Sequence, residues 1–136
     1  MGEPFEFTEY NIETTIQRIM DCARSVGDEL GTERKAEEYE ARLARVFRDS
    51  KLQFARQYPF GVPFYGPKDR GFYADFVVEG RVLLELKAAE ALTGADTAEA
   101  LSYLAESGAD FCLLINFGRQ PIEIQRFDAA EAGKPA

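Results

Sequence analysis

The chain has 136 residues, 46% of them hydrophobic and 29% charged, which is enough for one core and too short for two ordinary domains. Sixteen Lys and Arg against 24 Asp and Glu leave a net charge of −8, so the overall field repels nucleic acid, and a polyanion partner requires a local basic patch or metal ions. The absence of histidine excludes Ser-His-Asp and Cys-His triads, His-based zinc sites and His-based nuclease chemistry. Residues 1–9 include acidic side chains where a signal peptide has a basic and then an apolar region, and no apolar run reaches membrane-spanning length. Cys22 and Cys112 lie in apolar segments with no Cys-x-x-Cys partner. They read as buried free thiols in a cytoplasmic protein.

Ile12, Ile16, Ile19, Ala23, Val26 and Leu30 recur at spacings of three and four, which predicts a helix capped by Asn11 or Thr8. Gly31 ends it, and Thr32 opens a second helix whose apolar stripe is Ala36, Tyr39, Leu43, Val46 and Phe47. After Ser50 the period changes. Leu52, Phe54, Tyr58, Phe60, Val62, Phe64 and Tyr65, interrupted by Pro59, Gly61 and Pro63, predict an edge strand that bends, with aromatics that serve either the core or an interface. Residues 66–70 form a loop and residues 71–88 a hairpin turning near Glu79-Gly80. A third helix is predicted over residues 96–106, a buried strand over 110–117 and a last strand over 122–127. The Ala-, Glu-, Gly- and Pro-containing stretch 128–136 reads as a flexible tail, leaving one domain over 1–127. Two helices, three strands, a helix and one or two strands make a mixed α/β fold.

Turn length decides which hairpin side chains share a face, because a one-residue slip inverts a strand. A two-residue loop, pairing Val78 with Arg81, mixes polar and apolar side chains on both faces. A three-residue loop, Val78-Glu79-Gly80, pairs Val77 with Arg81 and separates the sets. Phe72, Ala74, Phe76, Val82, Leu84, Leu86 and Ala88 then form an apolar face. The opposite face carries Tyr73, Asp75, Val77, Arg81, Leu83, Glu85 and Lys87. Gathering Asp75, Glu85 and Lys87 on a covered sheet face calls for compensation of buried charge. Two carboxylates suit magnesium or manganese, with a lysine beside an attacking water or a phosphate; an ion-pair cluster at the sheet edge is the alternative.

Asp75 followed after nine residues by Glu85-Leu86-Lys87, between a bent strand and a helix, resembles the core of the PD-(D/E)XK nuclease superfamily. More narrowly, the chain resembles the small bacterial proteins named for a GxxExxY motif, through the blocks Gly71-Phe72-Tyr73-Ala74-Asp75, Glu85-Leu86-Lys87-Ala88, Ser102-Tyr103-Leu104 and residues 113–118. The resemblance runs from about residue 12 to residue 127. It implies a restriction-endonuclease-like mixed central β-sheet flanked by helices. It also implies a divalent-metal site at Asp75, Glu85 and the Leu86 backbone carbonyl, with Lys87 as the catalytic lysine. The family's helix-borne Gln and Tyr fall on Glu99 and Tyr103. In the naming motif only Tyr39 survives, with Glu33 at the Gly position and Ala36 at the Glu position; Glu40, four residues on, lies on roughly the same helix face and is a candidate substitute metal ligand, a solvated helix charge being the alternative. Arg70 is placed to approach a phosphate.

The resulting expectation is a Mg²⁺- or Mn²⁺-dependent nuclease acting on DNA or RNA. The alternative is a catalytically degenerate nuclease-like module that binds or regulates, as a homodimer. The basic residues that could meet a nucleic acid, Lys51, Arg56, Lys68, Arg70, Arg81 and Arg119, are scattered along the chain.

Overall fold

The computed structural model describes the backbone of residues 4–60 and 72–132 and the side chains of residues 12–60 and 73–131. The expected bend beyond Phe60, the loop 66–70 and with it Arg70 lie outside the described residues. In chain order the elements are α1 (Pro4–Leu30), α2 (Ala36–Asp49), β1 (Phe54–Phe60), β2 (Phe72–Val78), β3 (Val82–Lys87), α3 (Gly94–Ser107), β4 (Phe111–Asn116), β5 (Glu123–Asp128) and α4 (Ala129–Ala132). The five strands form one sheet in sequential order. The β1–β2, β2–β3 and β4–β5 pairs are antiparallel and β3–β4 is parallel, because α3 returns the chain across the sheet between β3 and β4. Among the described residues no helix is long and apolar enough to cross a membrane.

Local chemistry moves the helix starts away from the expected caps. α1 begins at Pro4, a residue favoured in the first helical turn, so Thr8 and Asn11 fall inside the helix. α2 begins at Ala36 rather than after Thr32, and the Glu38 carboxylate accepts the Lys35 N–H at 2.9 Å, taking up a donor that the helix leaves free. Gly31 does end α1 in the left-handed conformation, φ 74°. Tyr39 is fully buried, stacks on Phe117 at 4.6 Å and donates its hydroxyl to the Gly31 carbonyl. Its role here is to pin the α1–α2 turn to the end of β4. α3 opens on Thr93, whose side chain accepts from the Asp96 N–H while Asp96 accepts from the Thr93 N–H.

The hairpin register differs from the expected one. Val78 pairs with Val82, Val77 with Leu83 and Phe76 with Leu84, so the three-residue loop is Glu79-Gly80-Arg81, one position later. Glu79 and Gly80 both take positive φ, 53° and 68°, and the Arg81 N–H returns to the Val78 carbonyl. The strain at Glu79 is offset by two bonds to Gln53, from the Glu79 N–H to the Gln53 carbonyl and from the Gln53 N–H to the Glu79 carboxylate, each 2.8 Å. Arg81 thus lies in the turn and not in β3, its carbonyl accepting the Asp110 and Phe111 N–H groups and its side chain paired with Asp110.

One face of the sheet packs Phe76, Val78, Val82, Leu84, Leu86, Leu113 and Ile115 against Ile16, Ile19, Val26, Tyr39, Leu43 and Phe47 of α1 and α2. Each large side chain buried there contributes about 1.5–3 kcal/mol. The other face packs Leu83, Cys112 and Leu114 against Ala100 and Leu104 of α3. Ala74 belongs to this second cluster, not to the face of Phe76 as expected, so the alternation of β2 breaks at Asp75. Ala88 is exposed just beyond the end of β3. Phe72 contributes backbone pairing with Phe60, and its side chain lies outside those described. Cys22 and Cys112 are free and buried, and burial pushes the Cys112 thiol up to about 12.

Candidate metal and active site

Asp75 and Glu85 come together where β2 and β3 separate. The ladder between them ends at Phe76 and Leu84, and beyond it the Asp75 carboxylate takes the place of a backbone acceptor: its Oδ2 receives the Leu86 N–H at 2.7 Å. Glu85 follows Leu83 on the α3 side of β3 and is only 6% exposed. Its Oε2 is buried with no hydrogen-bond partner among the described residues. Burial, then the charges of Asp75 and Glu99, push the Glu85 carboxyl up to about 9, against the weaker opposing pull of the Asp75 N–H and Lys87. Asp75 is raised as well, chiefly by burial, with Glu40 adding to the shift and the Leu86 N–H, Gln57 and Lys87 opposing it.

Glu40 reaches this site from α2. Its Oε2 accepts from Arg56 Nε and Nη2 at 3.2 and 3.1 Å, and its Oε1 accepts from Gln57 Nε2 at 3.0 Å. The same Gln57 nitrogen donates to Asp75 Oδ1 at 3.1 Å. Two carboxylates from different elements therefore share one amide donor. Sequence reasoning missed Gln57, since a glutamine on an exposed strand carries no motif. The only local sign is structural: Gln57 has φ 47°, a left-handed conformation that costs a non-glycine residue about 1 kcal/mol or more.

Lys87 closes the α3 side. Its Nζ lies 3.0 Å from Glu99 Oε1 and 3.8 Å from Asp96 Oδ1. Burial pulls the ammonium down, but Glu99, Asp96 and Glu85 more than reverse this and hold it above its ordinary value. Tyr103, one turn beyond Glu99 on α3, packs edge-on against Phe60 with ring centroids 5.3 Å apart. Its hydroxyl is raised by burial and then by the charges of Glu99 and Glu85. The fold thus brings Asp75, Glu85, Lys87, Glu40, Glu99 and Tyr103 to one end of the sheet. Asp96 joins them unforeseen, because its capping pattern with Thr93 explains it locally.

Three of the candidate basic residues are engaged by acids within the fold. Arg56 is paired with Glu40, Arg81 with Asp110 and Arg119 with Glu123. Among the described residues no group of three or more Asp, Glu or Cys side chains forms a cage for a metal. Magnesium, however, keeps most of its waters and is typically held by one or two carboxylates. Glu85 Oε2, left without a partner by the described residues and lying beside Asp75, fits such a hard cation, which would take up that oxygen and favour the ionised form of a carboxyl that burial otherwise keeps protonated.

A family model described as the PD-(D/E)XK nuclease superfamily matches residues 13–127. The chain belongs to the PD-(D/E)XK nuclease superfamily. No curated protein and no solved structure matches it. The five-stranded mixed sheet flanked by helices agrees with the restriction-endonuclease-like fold of the superfamily. Superfamily membership suggests nuclease chemistry, and PD-(D/E)XK nucleases generally use divalent metals.

Proposed function

We propose that the chain is a nuclease that hydrolyses phosphodiester bonds of DNA or RNA with Mg²⁺ or Mn²⁺ held by Asp75, Glu85 and the Leu86 carbonyl. The observation that carries this reading is the buried, unpartnered Glu85 Oε2 next to Asp75. A cation bound there supplies Lewis acidity toward a phosphoryl oxygen and lowers the pKa of a water. Lys87, at the end of β3 beside Glu85, serves as the catalytic lysine by orienting that water and balancing negative charge on the phosphoryl group. Glu40 stands in for the acid that the GxxExxY pattern has where this chain has Ala36, and membership of that narrower group is part of the proposal. Glu99, Tyr103 and Arg70 are assigned to the substrate, the domain to residues 1–127 and the protein to the cytoplasm.

The test is thermal unfolding of the wild type, Asp75→Asn and Lys87→Ala in EDTA, Mg²⁺ or Mn²⁺, each with cleavage of labelled single- and double-stranded DNA and RNA. The expected result is a manganese-dependent rise of the wild-type midpoint that Asp75→Asn abolishes, with cleavage lost in Lys87→Ala. Absence of any metal effect on the wild type contradicts the reading.

A specific observation favours a second reading. Lys87 is engaged by Glu99 and Asp96, and Arg56, Arg81 and Arg119 are each paired with an acid, which limits the positive charge available to a nucleic acid. On this reading the chain is a degenerate nuclease-like binding module, homodimeric, and it binds metal without cleaving or binds none.

A further inference from the structure

Successive residues of an extended strand point to opposite faces, yet Arg56 and Gln57 of β1 both reach Glu40. The left-handed φ of 47° at Gln57 makes this convergence. The β1–β2 register runs on unchanged past it, pairing Arg56 with Phe76 and Tyr58 with Ala74, with Gln57 itself left out of the ladder. Gln57 Nε2 carries two hydrogens, and its two acceptors are the carboxylates of Glu40 at 3.0 Å and Asp75 at 3.1 Å. Beside them lies Glu85, 6% exposed, with an oxygen that has no hydrogen-bond partner among the described residues.

We propose that the Gln57 amide is a placeholder for a divalent cation: it holds Glu40 and Asp75 on either side of one donor in the metal-free protein and gives way when metal binds. The inference rests on the metal-dependent reading above. An amide nitrogen stands about 3 Å from each oxygen, and magnesium takes its oxygens at about 2.0–2.1 Å, so a cation bridging the two from the side the amide occupies would overlap it. The amide offers two carboxyl groups only partial positive charge, and it offers nothing to Glu85 Oε2. Each flanking acid keeps a second anchor when Gln57 leaves, Glu40 through Arg56 and Asp75 through the Leu86 N–H. Release of Gln57 therefore frees one oxygen on each acid without loosening either side chain.

The test is calorimetric titration of EDTA-stripped, full-length protein with Mn²⁺, together with thermal unfolding in EDTA, for the wild type, Gln57→Ala and Gln57→Asn. Asparagine tolerates the left-handed backbone but is one carbon shorter, so it decides the matter if the alanine variant does not fold. Both variants are expected to unfold at lower temperature in EDTA and to bind Mn²⁺ at least about threefold more tightly, because no charge-assisted hydrogen bonds must first be broken. Manganese binding by the wild type with equal or weaker binding by the variants overturns the placeholder and leaves the metal site standing. No binding by the wild type overturns both.

Discussion

Lys87 Nζ and Glu99 Oε1 meet at 3.0 Å across the gap between the end of β3 and the middle of α3. A lysine drawn onto a carboxylate is less available to a phosphate, and the resembled family has a neutral glutamine at this position. Glu99→Gln is therefore expected to raise manganese-dependent cleavage several-fold and to shift the alkaline limb of its pH profile downward as the Lys87 ammonium loses the carboxylate that raises it. Both side chains are partly exposed, so the substitution should change stability by less than about 1 kcal/mol. Initial rates against pH, beside a urea titration, check the two parts separately.

Glu85 makes metal-free stability fall with pH. Its carboxyl is pushed from an ordinary 4.5 to about 9 in the folded chain, so between those values the native state holds a proton that the unfolded state has lost. Stability then decreases as pH rises through this window and levels off above it, a change on the order of a few kcal/mol. Asp75 is shifted in the same direction. Glu85→Gln should be more stable than wild type in EDTA at pH 8 and show a flatter pH dependence. Unfolding midpoints measured from pH 5 to 9 report the slope.

Asp75 has a structural duty besides any metal. Asp75→Ala strands the Leu86 N–H, now bonded at 2.7 Å, and should cost about 1–3 kcal/mol even in EDTA. Asp75→Asn retains an acceptor and should lose less. Denaturant unfolding of the two variants in EDTA separates the hydrogen bond from the charge.

Gly118 permits a close approach behind the site. A Cβ there would lie 2.1 Å from the Ala89 carbonyl oxygen and 2.4 Å from the Ala89 nitrogen, backbone atoms that cannot swing aside. The same contact is fixed by Asn116, fully buried, whose side chain bonds the Ala89 N–H and carbonyl, the Gly118 N–H and Glu123. Gly118→Ala and Asn116→Ala are each expected to destabilise the fold by about 2 kcal/mol or more, measured by urea unfolding. Both should also weaken manganese binding, because the segment they hold follows directly on Lys87.

The order of elements was legible because periods of 3.6 and 2 follow burial on one face. The stripe from Ile12 to Val26 packs as expected, and the apolar run of β4 is a buried strand between β3 and β5. The hairpin faces were partly legible for a reason of parity. The pairing is two positions away from the expected one, and a slip of two preserves which side chains lie together, so Leu83 and Glu85 face α3 despite the wrong partner residues. Ala74 escaped that logic, since the alternation of β2 breaks where the Asp75 side chain replaces the ladder.

Sequence alone determined the order of the elements up to β5, though not the short α4 in what read as a tail, and the placing of Asp75, Glu85 and Lys87 together opposite an apolar hairpin face, because these follow from local periodicity and spacing. Tertiary structure decided which neighbours surround that set. Glu40 from α2, Gln57 from β1 and Glu99 with Asp96 from α3 arrive from elements far apart in sequence. Their meeting depends on the packing of helices on the sheet and on one left-handed residue in β1. Burial, the property that lifts Glu85 to about 9, likewise exists only once those elements close over the site.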